Sequence, residues 1–199
     1  MSEQRATFYF DLASPECYLA AERILHVLGP AEWQPVLARE LPRPQRYEGF
    51  RCREEEEIFR AEIARRADQL GLQPLRWPDP FPFDSDLAMR VATYAKSIGR
   101  AIPFAQAAFR QAFAGGHSLH HPDFVLIASA ACEMHPAAVL RASQLRSVER
   151  QLSAATTHAE RAGATDVPAL RVGELLFEGE RAVEEAAARM SALPPAGSR

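Results

Sequence analysis

Two side chains that can do sulfur chemistry stand where the sequence predicts the start of the first helix. A short aromatic run, Phe8 to Leu12, alternates like a buried strand and is followed by Ser14-Pro15-Glu16-Cys17. Ser14 suits the N-cap, Pro15 suits the first helical position, and Glu16 complements the helix dipole. A hydroxyl and a thiol at a helix N-terminus form a site suited to an anion or a thiolate.

The two side chains predict different chemistries. Thiol–disulfide exchange through Cys17 requires an exposed, acidic sulfur, whereas a free cysteine three residues into a helix is expected to be buried. Ser14 can instead donate a hydrogen bond to the thiolate of a bound small thiol and lower the pKa of that thiol. A plain N-cap, worth about 1 kcal/mol, is the alternative role for Ser14, and the two roles are compatible.

The surrounding elements are predicted from periodicity, capping signals and breakers. A strand, the helix 15–27 and a second strand at 33–37 come first, and hydrophobic spacing then predicts helices over 51–70, 85–98, 102–113, from 122, from 136, and over 145–161. On the helix 51–70, Glu56 faces Arg60 and Glu62 faces Arg66. The predicted buried stripe of that helix is Ile58, Phe59, Ile63, Ala67 and Leu70, and the predicted buried residues of the helix from 122 are Leu126, Ile127, Ala130 and Ala131. The chain ends with strands at 167–172 and 175–177, a turn at Gly173-Glu174, and a helix over 181–193.

A proline-rich aromatic strip, WPDPFPF at 77–83, interrupts the helical region. Three prolines in seven residues predict an extended segment. Its rings, Trp77, Phe81 and Phe83, either line a pocket or cover the core of the protein.

Composition excludes several function classes. At 199 residues and a formal charge of −3, the chain has no concentrated basic patch for nucleic acid or an anionic membrane, and no run approaches the length of a membrane span. With neither an export signal nor a membrane span recognised, the sequence predicts a cytoplasmic protein. Three widely spaced cysteines predict reduced thiols, as in a reducing compartment. His117, His120 and His121 share one loop without a cysteine or clear carboxylate set, so no metal site is expected.

The opening pattern F-Y-F-D-x-x-S-P-x-x-Y-L-A resembles the start of the DsbA-like thioredoxin superfamily, in the branch of 2-hydroxychromene-2-carboxylate isomerases and kappa-class glutathione transferases. Disulfide-exchanging relatives carry Cys-Pro-x-Cys here, whereas this chain has Ser14 in the first cysteine position. The resemblance implies an α/β, thioredoxin-like fold with a large all-helical insertion. The thioredoxin-like parts would be residues 1–40 and 160–199, and the insertion 41–159.

The resemblance also implies a site and a function. Ser14 would be the catalytic residue that stabilises the thiolate of glutathione or another low-molecular-weight thiol. The Val167-Pro168 bond would be cis, and the backbone of Val167 and Pro168 would bind the peptide-like part of the thiol. The other residues implied to bind the thiol are Asp84, Glu180 and Arg181. The function would be a homodimeric isomerase or transferase acting on a small aromatic substrate, held by Trp77, Phe81 and Phe83.

Three features of the chain depart from the family pattern and leave alternatives open. Asp84 stands where family members often carry Asn. Glu16 replaces an aromatic residue, and a carboxylate there would oppose thiolate formation. The segment Phe177 to Arg181 replaces a W-G-N-D-R or W-G-D-D-R motif. A thiol–disulfide oxidoreductase using Cys17 and a non-catalytic thiol-binding relative therefore remain alternative functions.

Overall fold

The computed structural model describes residues 5–43 and 49–192, and it contains a four-stranded mixed sheet in the order β2-β1-β3-β4. The strands are β1 (Ala6–Phe10), β2 (Ala31–Pro35), β3 (Ala169–Val172) and β4 (Leu175–Glu178). β1 and β2 are parallel, while β3 pairs antiparallel with both β1 and β4. Parallel pairing of neighbouring strands requires a crossover, and the first helix supplies it.

Helices account for most of the remaining chain, as predicted, with ends that shift by a few residues. In chain order they are α1 (Pro15–Val27), α2 (Arg53–Gln69), α3 (Asp86–Ser97), α4 (Ala101–Phe113), α5 (Pro122–Ala130), α6 (Pro136–Ser143), α7 (Arg146–Arg161) and α8 (Ala182–Ser191), with a 3-10 turn at Ala38–Glu40. The predicted end of the last helix, Leu193, lies outside the described residues.

The sheet holds the buried aromatic centre of the fold. Phe8, Phe10 and Trp33 are almost fully buried on β1 and β2, with ring centroids 5.1–5.9 Å apart. α8 packs on β3 and β4, α3 and α7 pack on β2, and α4 joins α1 to α3. One continuous apolar core therefore includes side chains from both the thioredoxin-like part and the helical insertion.

Two predicted helix faces are wrong. On α5, Val125 and Ala128 are buried while Ile127 is half exposed, so the apolar face is rotated from the predicted one. On α2, Ile58 is 69% exposed, and only Ile63 and Ala67 are buried. α2 is a charge-rich helix with a narrow apolar stripe, which rests mainly against α1.

Candidate functional site

The turn between β1 and α1 is fixed by a buried carboxylate. Asp11 Oδ1 accepts the N–H of Ala13, and Oδ2 accepts the N–H of Ala38, each at 2.9 Å. Burial raises the pKa of Asp11, while these N–H groups and the Ser85 hydroxyl act in the opposite direction. Asp11 thereby ties the start of α1 to the turn after β2 and sets the position of Ser14.

Ser14 is the N-cap of α1, as predicted. Its Oγ accepts the N–H of Cys17 at 3.1 Å, and its hydroxyl donates to Glu16 Oε2 at 3.2 Å. Ser14 is 1% exposed and Glu16 is 7% exposed. The one proton of the Ser14 hydroxyl is therefore directed to a buried carboxylate in this conformation.

Cys17 does not have the properties that disulfide exchange requires. Its side chain is fully buried. Burial raises the pKa of the Cys17 thiol well above its usual value, and the hydrogen bond with Ser14 only partly offsets this. A buried and weakly acidic thiol is a poor nucleophile.

A cleft of about 540 Å³ opens between α1, α2 and the loops at the ends of β3 and β4. We call it the main cleft. Of the predicted site residues, it includes Val167, Pro168 and Glu180, and the Val167-Pro168 bond is cis, as expected. Its other lining residues are Glu16, Arg43, Phe59, Glu62, Ile63, Arg66, Asp166, Glu178 and Gly179. Its volume is within the usual range of small-molecule sites.

The loop before the cis proline is held by side chains of the cleft. Glu178 accepts the N–H groups of Thr165 and Asp166, at 2.5 and 3.1 Å, and pairs with Arg43 at 3.1 Å. The side chain of Asp166 accepts the N–H of Val167 at 2.7 Å. Glu178 and Asp166 thus maintain the backbone that lines this wall of the cleft.

A second, narrower space lies directly beside Ser14. We call it the Ser14 gap. It is lined by Ala13, Ser14, Pro15, Glu16, Phe50, Phe59, Phe81 and Pro82. Its free volume of about 10 Å³ is close to the minimum for one water molecule. Glu16 and Phe59 line both spaces, so they form the partition between the main cleft and the Ser14 gap.

The aromatic strip contributes one ring to the site. Phe81 lines the Ser14 gap and stacks on Phe59 with ring centroids 6.3 Å apart. Trp77 lies behind Phe81 at 4.8 Å, with the Arg60 guanidinium 4.9 Å from its ring, and lines neither space. Phe83 is buried in the core. The strip bends at 79–82 and is not extended as predicted, and the bonds before Pro80 and Pro82 are cis.

The structure does not bring Asp84 or Arg181 to either space. Asp84 accepts the N–H of Asp86 at the start of α3 and pairs with Arg39 at 2.8 Å, which explains why it points elsewhere. Arg181 is the exposed residue immediately before α8. Asp84 and Arg181 therefore lie at the starts of α3 and α8, outside the main cleft.

Sequence reasoning missed several lining residues. Arg66 was expected to pair with Glu62 one turn earlier, but it pairs with Glu180 at 3.1 Å, whereas the predicted pair Glu56–Arg60 is present at 2.5 Å. Phe59 was expected in the buried stripe of α2 and instead stands between the two spaces. No local pattern in the sequence marked Arg43 as a residue of the site. Among the described residues, no group of three or more His, Cys, Asp or Glu side chains is arranged to hold a metal ion.

The comparisons with known proteins agree with this architecture. The family model of the DSBA-like thioredoxin domain matches residues 6–191, so the chain belongs to the DsbA-like thioredoxin family. No curated protein sequence matches it. Within the described part of the chain, no helix is long and apolar enough to cross a membrane.

Solved structures share the fold at low sequence identity. A 2-hydroxychromene-2-carboxylate isomerase has a TM-score of 0.80 at 16% identity, covering 94% of each chain. A probable DsbA oxidoreductase from Streptomyces coelicolor has a TM-score of 0.77 at 16% identity, covering 99% of this chain and 94% of its own. The cytosolic disulfide reductase DsbM from Pseudomonas aeruginosa with GSH has a TM-score of 0.66 at 15% identity, covering 94% and 97%. These neighbours confirm the predicted fold. At identities this low they establish the fold alone and not the function.

Proposed function

We propose that this protein is a thiol-dependent isomerase or transferase that acts on small aromatic electrophiles, like the 2-hydroxychromene-2-carboxylate isomerase that shares its fold. The observation that carries the proposal is the position of the Ser14 hydroxyl at the N-terminus of α1. Ser14 lines the same gap as Phe81, and Glu16, two residues further on, lines a main cleft that includes Val167 and Pro168. The nucleophilic sulfur would come from a bound small thiol, because Cys17 is buried.

Each part of the site has a role in this proposal. When bound, the thiol supplies a sulfur nucleophile for an activated double bond. The Ser14 hydroxyl and the N–H groups at the start of α1 stabilise negative charge on that sulfur. The backbone at Val167 and Pro168 orients the body of the thiol, while Phe81 and Phe59 contact the aromatic substrate and exclude water.

The main cleft fits the body of a small thiol better than it fits glutathione itself. Glutathione carries two carboxylates, which need cationic partners. The two arginines that line the cleft, Arg43 and Arg66, already pair with Glu178 and Glu180 of the same lining. We therefore assign the site to a low-molecular-weight thiol and derive no step that depends on glutathione.

Calorimetric titration of wild type and Ser14→Ala with reduced glutathione and with its diethyl ester tests the thiol site. The variant should lose about 1 kcal/mol of unfolding free energy with the N-cap, and should bind whichever thiol the wild type binds at least about tenfold more weakly. Turnover of aromatic electrophiles should disappear with that binding. Turnover that survives in Ser14→Ala would refute the role of Ser14.

A second candidate function, thiol binding without turnover, is favoured by the Ser14–Glu16 hydrogen bond. While Ser14 donates to Glu16, its proton is not available to a thiolate. Binding of a thiol with no turnover across a panel of aromatic electrophiles would select this alternative. The predicted cytoplasmic location and homodimer remain predictions, for which fractionation and sedimentation are the tests.

A further inference from the structure

The charge of the main cleft is the strongest unexplained feature of the site. The lining includes five carboxylates and two guanidiniums, a formal charge of −3. The carboxylates are Glu16, Glu62, Asp166, Glu178 and Glu180. Within the described residues, both arginines of the lining are already in ion pairs with Glu178 and Glu180.

The acids of the lining are not equivalent. Glu178 pairs with Arg43, and Glu180 pairs with Arg66. The side chain of Asp166 accepts a hydrogen bond from the N–H of Val167. Glu62 lies on α2 one turn before Arg66, and it forms no ion pair with any residue in the described part of the chain. Glu62 is thus the carboxylate that is best able to receive a cation from a ligand.

Glu16 lies beside Ser14, where the sulfur would lie. Glu16 is 7% exposed and lines both the main cleft and the Ser14 gap. A ligand whose sulfur approaches Ser14 therefore passes a buried carboxylate, and any further negative charge on that ligand raises the repulsion.

We infer that the main cleft selects a thiol that bears an amine and lacks carboxylates, rather than glutathione. This inference rests on the proposed thiol-dependent function and specifies its ligand. The amine of the ligand pairs with Glu62, and its uncharged body lies along the wall formed by Val167 and Pro168. The paired arginines Arg43 and Arg66 remain structural, holding the loops that bear Glu178 and Glu180.

Glutathione and its diethyl ester test the inference, since the ester keeps the thiol, the amine and the peptide length but loses both carboxylates. At low ionic strength the wild-type protein should bind the ester about tenfold or more tightly than glutathione, and added salt should reduce that preference. Glu62→Gln should reduce the preference about threefold. Glu57→Gln, which removes the same charge from α2 at a position that lines neither space, should leave it unchanged.

The outcomes separate this inference from the proposed function. Glutathione binding as tightly as the ester, or more tightly, would overturn the inference while a Ser14-dependent thiol site remained established. An equal loss of preference in Glu62→Gln and Glu57→Gln would also overturn it, because the selection would then not arise in the cleft. If neither compound binds, the proposed thiol site fails and the inference falls with it.

Discussion

Replacing Glu16 with glutamine tests the electrostatics of the site most directly. Glu16 Oε2 lies 3.2 Å from Ser14 Oγ, and a sulfur that is hydrogen-bonded to Ser14 would lie about 5 Å from the carboxylate. At an effective dielectric constant of about 20, two unit charges at that distance repel by about 3 kcal/mol. Glutamine removes this repulsion and keeps nearly the same shape.

The expected consequence is easier ionisation of the bound thiol. The full 3 kcal/mol corresponds to about a hundredfold change in the thiolate fraction, and solvent screening and relaxation reduce it to about tenfold. Glu16→Gln should therefore lower the pKa of the bound thiol and raise turnover at neutral pH. The variant should lose about 0.5 kcal/mol of unfolding free energy, since Glu16 complements the N-terminus of α1.

Ultraviolet absorbance of the thiolate, followed against pH with the diethyl ester of glutathione bound, measures this effect. Glu40→Gln is the matched control, because it removes a carboxylate from an exposed position that lines neither space. An unchanged or higher pKa of the bound thiol in Glu16→Gln would refute the repulsion argument. A large loss of turnover in the same variant would indicate that Glu16 accepts the proton of the thiol.

Two further changes test the support of Ser14 and the access to it. Asp11→Asn leaves one of two buried N–H groups, of Ala13 or Ala38, without an acceptor, and should cost about 1–3 kcal/mol of unfolding free energy at neutral pH. Because burial raises the pKa of Asp11 in the folded state, the unfolding free energy of the wild type should fall as pH rises through that pKa. Thermal unfolding of Asp11→Asn should lack this fall. The same dependence of stability on pH in both proteins would count against the assignment. Phe59→Ala should widen the Ser14 gap and raise the association rate of a thiol in stopped-flow binding, with little effect expected from Ile58→Ala on the exposed side of α2.

The parts of the fold that could be predicted from sequence are those with strong local signals. The alternating aromatic run before Ser14, the serine at the N-cap and the proline after it define β1 and the start of α1 without any knowledge of the rest of the chain. The turn at Gly173-Glu174 is equally local, with Gly173 at φ +61°.

The parts that could not be predicted depend on contacts between distant segments. The i,i+4 spacing predicts that Arg66 pairs with Glu62. The loop before α8 brings Glu180 to the same guanidinium, and Arg66 pairs with Glu180 instead. In the same way, the hydroxyl of Ser14 is predicted as a cap, but its donation to Glu16 depends on how deeply that carboxylate is buried. The charge of a cleft depends on which distant residues the fold brings together. The acidity of the main cleft could therefore not be predicted from the sequence.

The contrast between the two walls of the Ser14 gap indicates where the site changes when a ligand enters. Ser14 is fixed by its own cap bond and by the buried carboxylate of Asp11, so moving it would break several buried hydrogen bonds. The opposite wall includes Phe59 on α2, which is held by two buried side chains and by the Arg66–Glu180 ion pair at its edge. Displacement of α2 therefore costs less than displacement of α1, and ligand entry should increase hydrogen exchange in 53–69 while leaving 11–20 protected. Increased exchange in 11–20 would contradict a rigid serine and a movable aromatic wall.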